Sequence, residues 1–93
     1  MGGITIRVPI GTITCFAVLP FSRTEDGDFL ADAAIEVRNA DQARATARGM
    51  EGAGRGAVAF SKTVDPQLGE WGDAVIVGRY GDVPDDLAPY TSD

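Results

Sequence analysis

Two stretches of this chain place hydroxyls, a cation and a carboxylate at one spacing: Phe21-Ser22-Arg23-Thr24-Glu25-Asp26 and Phe60-Ser61-Lys62-Thr63-Val64-Asp65. Such a set suits ligand binding, because a cation holds an anion while hydroxyls orient it. It suits a hairpin end equally well, with polar residues at the turn and aromatic residues anchoring the strands. Catalysis has less material to draw on. The chain has no histidine, which removes the commonest general base, the usual partner of a serine or cysteine nucleophile and the commonest metal ligand. Asp32 and Asp73 occupy matched places after the two stretches, and facing each other they would form a carboxylate pair for acid–base work. Glu25, Asp26, Asp28 and Asp32 crowd one turn but lack the distal bidentate glutamate of a calcium loop. Gly52, Gly54 and Gly56 form G-x-G-x-G after a helix and before a strand, the reverse of a phosphate-binding loop. No catalytic residue, metal ligand or cofactor is assigned, and the expectation is a protein that is not an enzyme.

The elements that position these residues follow from hydrophobic periodicity. Ile4, Ile6, Val8 and Ile10 alternate with Thr5, Arg7 and Pro9, a half-buried strand that Pro9 places at an edge or an end. A second strand covers residues 13–21, with Ile13, Cys15, Ala17, Leu19 and Phe21 on one face and Phe16 and Val18 on the other, the pattern of a central strand. The Asp26-Gly27 pair predicts a tight connection into a third strand over residues 29–38. There Phe29, Ala31, Ala33, Ile35 and Val37 point to one core, so Ile35→Asp is expected to abolish folding. Asn39 with Gln42 three positions on resembles a capping box and starts a helix to about Met50 or Glu51. Its stripe of Ala40, Ala43, Ala47 and Met50 fits closely on a sheet. Residues 52–56 end that helix, with a glycine expected in the left-handed cap conformation. Strands over 57–63 and 71–80 follow, and Val75, Ile76 and Val77 give the last one apolar residues on both faces, a central or interface position. Residues 1–81 thus read as one α+β domain: an antiparallel-rich sheet of four to five strands, one helix on one face, in hairpin-helix-hairpin order. A crossover helix between the hairpins leaves the strands on either side of it parallel and implies a pseudo-two-fold sheet. Residues 82–93, with two prolines and four aspartates, read as a flexible acidic tail unless Val83 and Leu87 dock.

Size and charge restrict partners. The 93 residues leave room for one small domain. A hydrophobic share of 44% with 24% charged residues is that of an ordinary globular protein. Fourteen acidic against eight basic residues give a net charge of -6, so direct nucleic-acid binding is not expected from the global field. No apolar run reaches membrane-spanning length, and the single cysteine, Cys15, reads as a small core residue in a reducing, cytoplasmic setting. Arg38, Arg44, Arg48, Arg55 and Lys62 concentrate the positive charge in residues 38–62, and the acids dominate after residue 65.

One alanine-lined helix cannot cover both faces of such a sheet. A second copy of the chain, the tail or another protein must cover the remainder, and a homodimer is the preferred expectation. The function expected is that of a non-catalytic protein-interaction or self-associating module, with Ser22, Arg23, Arg44, Arg48, Ser61, Lys62, Trp71, Val75 and Val77 as interaction residues. Two alternatives are an acidic decoy that inhibits a nucleic-acid-binding protein and a small-ligand binder in a concavity at the hairpin loops around Ser22 and Ser61.

Ala-Val-Leu-Pro-Phe-Ser-Arg-Thr at residues 17–24, Ala-Val-Ala-Phe-Ser-Lys-Thr at 57–63 and Gly-Asp-Val-Pro-Asp-Asp-Leu at 81–87 resemble in style a family of small uncharacterised bacterial proteins, a resemblance that implies no activity. The strand, capped helix and strand from Ala33 to Phe60 resemble one half of a peptidoglycan-binding SPOR-type domain without its second helix. The Glu-Asp-Gly-Asp-Phe hairpin is similar to the partial double-stranded-RNA-binding fold of HicB-type antitoxins. Neither of these two carries a residue role to this chain.

Overall fold

A computed structural model describes residues 13–65 and 67–91, with positions 70 and 71 described by their backbone alone. The strand expected over residues 4–10 lies outside the described residues. Strand β1 (Ile13–Arg23) and strand β4 (Arg55–Asp65) pair antiparallel along almost their whole length and form the middle of one sheet. Beside β1 run two short segments, β2 (Phe29–Ala31) and β3 (Ile35–Val37). Beside β4 run β5 (Glu70–Trp71) and β6 (Val75–Gly81). Helix α1 (Ala40–Arg48) joins the two hairpins, and a single turn of helix, α2 (Ala88–Thr91), ends the described chain. The fold is α+β, with one antiparallel sheet and α1 packed on it. Because β3 and β4 both run antiparallel to β1, they are parallel to each other, with β1 lying between them.

Leu19 sits directly opposite Val58 in the central ladder. These two residues hold the same place ahead of Phe21 and Phe60, so the repeated stretches run from one shared centre toward opposite ends of the sheet. Alternation along β1 and β4 then assigns the two faces. Val18, Ala57 and Ala59 turn to α1 and pack on the fully buried Ala43 and Ala47, with Phe16, Val37, Met50, Val77 and Tyr80 at the margin. Alanine on both surfaces lets helix and sheet approach closely. Asn39 caps α1 by accepting from the Gln42 N–H at 2.7 Å, and Gln42 Oε1 accepts in return from the Arg38 N–H at 2.8 Å. The helix stops at Arg48 with Gly49 in right-handed conformation, so the expected left-handed cap is not formed. Residues 52–55 make a tight turn instead, closed by a pair of backbone hydrogen bonds between Gly52 and Arg55, and Gly54 takes positive φ there.

The opposite face carries Leu19, Phe21, Val58 and Phe60, and the chain covers it with its own tail. Leu87 is 5% exposed within that cluster, and Val83 and Tyr90 pack at its edge. The docking exception for Val83 and Leu87 is therefore realised, and the sheet needs no second molecule to cover this face. Burying Leu87 alone is worth about 2 kcal/mol. To reach this face the chain crosses the end of β4. A Cβ on Gly56 would lie 2.6 Å from the backbone of Asp82, and Gly81 turns at φ 72°. Only glycine fits at both points, because a side chain would displace backbone at the first and strain φ at the second.

Both return strands break, at residues 32–34 and 72–74. The first break overturns the single-face reading of residues 29–38: Phe29 and Ala31 face the tail side, whereas Val37 faces α1. A one-residue slip in pairing turns the following side chains to the other face. Ile35 is left 40% exposed, so it is no core residue and its replacement by aspartate is not expected to abolish folding. The last strand does not take the central position, one of the two positions its apolar faces suggested. Among the described residues, 75–81 pair on one side only and form an edge, and a bulge between Ala59 and Phe60 of β4 leaves Val77 an extra residue in β6.

Candidate interaction surface

The two hairpins use their matched cations differently. Arg23 Nε and Nη2 donate to both carboxylate oxygens of Asp82, at 2.8 and 3.1 Å, and Nη1 donates to the Gly27 carbonyl at 2.6 Å. Its guanidinium also lies 3.7 Å from the centre of the Phe29 ring. A planar fork with several donors suits this set of contacts. Asp82 is the first residue of the tail, so Arg23 fastens the tail to the first hairpin. The hydrogen bonds from Arg23 hold the Asp82 carboxyl below its ordinary value against the opposing effect of desolvation. Farther along the tail, the Tyr90 ring meets Phe21 edge-on at 5.0 Å, and Asp86 Oδ1 accepts from the Ala88 N–H at 3.1 Å to open α2. Sequence reading missed Asp82 and Tyr90. The signal for Tyr90 was present: Val83, Leu87 and Tyr90 stand four and three residues apart, a helical spacing hidden by the surrounding aspartates.

Lys62, the counterpart of Arg23, lines a cleft of about 590 Å³ between the β6 side of the sheet and the tail. Asp73, Ile76, Arg79, Asp85 and Leu87 complete most of its wall. A smaller cleft of about 270 Å³ lies beside Asp32 and Arg55. Asp32 and Asp73 thus line separate clefts on opposite sides of the central strand pair and do not face each other, which removes the carboxylate-pair reading. Ser22 and Ser61 pair with Arg55 and Phe16 at opposite ends of the sheet, and neither lines one of these clefts. The two hydroxyl-bearing stretches therefore do not assemble one site.

Most of the remaining interaction residues lie in or beside the second hairpin. Val75 is 62% exposed opposite Ser61, and Val77 projects toward α1. Trp71 lies in β5 opposite Val64. Arg48 of α1 stands 5.8 Å from the Tyr80 ring, and Arg44, one turn earlier on the same helix face, pairs with Asp41. Among the described residues, no backbone hydrogen bond joins the outer edge of β6 to another segment. Leu68, 69% exposed, stands at the tip of the same hairpin.

No family model, curated protein or solved structure matches the chain. The three resemblances noted in the sequence therefore contribute no residue roles, and the surface must be read from its own chemistry. Among the described residues no helix is long and apolar enough to cross a membrane.

Proposed function

We propose that this protein is a non-catalytic interaction module that associates by adding a strand to the outer edge of β6. One observation carries the reading: among the described residues β6 is a seven-residue edge strand with an apolar residue, Val75, 62% exposed on it. Unpaired N–H and C=O groups along such an edge are a template for another strand, and proteins that avoid association shorten, break or charge their edges. The opposite edge has those protections. It is divided into two three-residue strands, the Ala33 N–H is taken by Asp32 Oδ1 at 2.8 Å, and Glu36 stands in β3. The tail covers the second sheet face, so the homodimer preferred from the sequence now rests on the edge and no longer on an uncovered face.

Light scattering over a concentration series tests the proposal. The native chain should show mass above that of the 9.7 kDa monomer, and Val75→Lys should weaken association roughly tenfold or more, because a charged residue on an edge opposes pairing. A monomer throughout, or association indifferent to Val75→Lys, would overturn it.

A further inference from the structure

We infer that the cleft beside the break at residues 32–34 binds a free α-amino acid with an apolar side chain, at a site independent of the β6 edge. This cleft, of about 270 Å³, opens on the α1 side of the sheet. Ile35 pairs with Val18 and Pro20 pairs with Ala57, so both share the face of α1. Between Ala31 and Ile35 three residues of the return strand pass only two of β1, Leu19 and Pro20, and leave the ladder. That departure makes room for the cleft. Met50, just past the end of α1, packs against the α1-side cluster and walls it. Pro20, Ile35 and Met50 thus give the cleft an apolar side, and Ile35 stays 40% exposed there.

Among the described residues that line it, Arg55 is the one cation and Asp32 the one carboxylate, and they form no ion pair with each other. Asp32 is held in place: its N–H donates to the Pro20 carbonyl at 2.9 Å, and its Oδ1 accepts from the Ala33 N–H at 2.8 Å. Its Oδ2 has no partner among the described residues. The Arg55 backbone is fixed by hydrogen bonds with Gly52 and Asp82, yet its guanidinium makes no ion pair, hydrogen bond or ring contact among the described residues. The other two strand arginines, Arg23 and Arg79, both bind the tail. Opposite charges that share a cleft without meeting fit a ligand that carries both. A carboxylate suits the planar fork of Arg55, an ammonium suits the open oxygen of Asp32, and an apolar side chain suits the wall of Ile35 and Met50. A zwitterion has no net charge, so the chain's net charge of -6 does not oppose its approach as it would oppose an anion's. The volume lies at the small end for ligand pockets, which admits one amino acid and not a longer peptide.

Amide chemical-shift titration of the native chain with L-leucine tests the assignment. Saturable shifts should be confined to the surroundings of Asp32, Ile35, Met50 and Arg55, with a dissociation constant of about 1 mM or tighter. N-acetyl-L-leucine lacks the ammonium, L-leucinamide lacks the carboxylate and glycine lacks the apolar side chain. Each should bind at least roughly tenfold less tightly. Arg55→Gln should remove the preference for L-leucine over L-leucinamide. Asp32→Asn, which keeps the Oδ1 acceptor for the Ala33 N–H, should remove the preference over N-acetyl-L-leucine. Resonances away from the cleft report whether each variant is folded. No saturable shift with L-leucine at tenfold that concentration, or shifts centred on another surface, would overturn the inference. Equal binding of N-acetyl-L-leucine would make the occupant the carboxy terminus of a chain, and equal binding of L-leucinamide or glycine would leave Arg55 or the apolar wall without a role. Each of these results, or preferences unchanged in the folded variants, contradicts a free apolar amino acid as the ligand.

Discussion

The first and second hairpins begin alike and finish differently. Both outgoing strands carry Phe-Ser, a cation and Thr, and both return strands break, yet the first hairpin holds the tail through an ion pair and an aromatic contact while the second meets it through apolar packing and a backbone carbonyl. In the first, Arg23 binds Asp82, the Gly27 carbonyl and the Phe29 ring, and Phe21 lies between the rings of Phe29 and Tyr90 at 6.2 and 5.0 Å. That hairpin holds Asp82 at the start of the tail and the Tyr90 ring near its end. In the second, Arg79 Nη1 donates to the Asp85 carbonyl at 3.2 Å, Lys62 and Arg79 line the cleft beside the tail, and the return strand recovers a seven-residue run beyond its break. Two copies of one local pattern thus hold the tail by different chemistry, an ion pair at Asp82 in the first and a backbone carbonyl at Asp85 in the second.

Three predictions test this division, beginning with the largest effect. Phe21→Ala should cost about 3–5 kcal/mol in denaturant unfolding, because it empties a fully packed site and removes two aromatic contacts. Ile35→Asp, in the return strand of the same hairpin, should cost no more than about 1 kcal/mol, because the side chain already meets water. Equal losses for the two variants would erase the distinction between the docked and exposed parts of the first hairpin. The smallest effect belongs to the tail clamp. The folded Asp82 carboxyl titrates below its unfolded value, so its contribution is complete above the ordinary carboxylate pKa and is lost as pH falls through the lower folded value. An acid-unfolding profile of Arg23→Gln should show less loss of stability across that window than the native chain, and identical profiles would show that Arg23 does not hold the tail.

Much of this arrangement was legible in the residues. Alternation in 13–21 identified β1 and its two faces, Asn39 and Gln42 marked the start of α1, and Ala43 and Ala47 identified its buried side. The hairpin-helix-hairpin order followed from the turn and cap residues, and the central register sets Leu19 opposite Val58. The break at residues 32–34 was hidden because Ala33 and Ala34 are apolar enough to continue an alternating pattern whichever face they meet. A register slip is a property of pairing between strands, and a single strand's sequence does not contain it. The docked tail was hidden by its aspartates: Leu87 and Tyr90 bury their apolar parts while Asp85 and Asp86 remain in water, so average polarity misled where spacing would not have. Of the residues singled out by type, Val75 and Val77 lie in β6 and Arg48 stands beside Tyr80 of that strand, while Arg44 pairs with Asp41 on its own helix. Ser22 and Ser61 were singled out by matched sequence and lie apart, because the antiparallel pairing of β1 and β4 sends them to opposite ends.

Native-state amide exchange measured residue by residue at low and high protein concentration compares the two sheet edges within one sample. The account predicts that the outward-facing amides of β6 become protected as concentration rises, while those of β2 and β3 exchange at an unchanged rate. Protection that grows at β2 and β3 and not at β6, or that grows nowhere in a chain of rising mass, would contradict it.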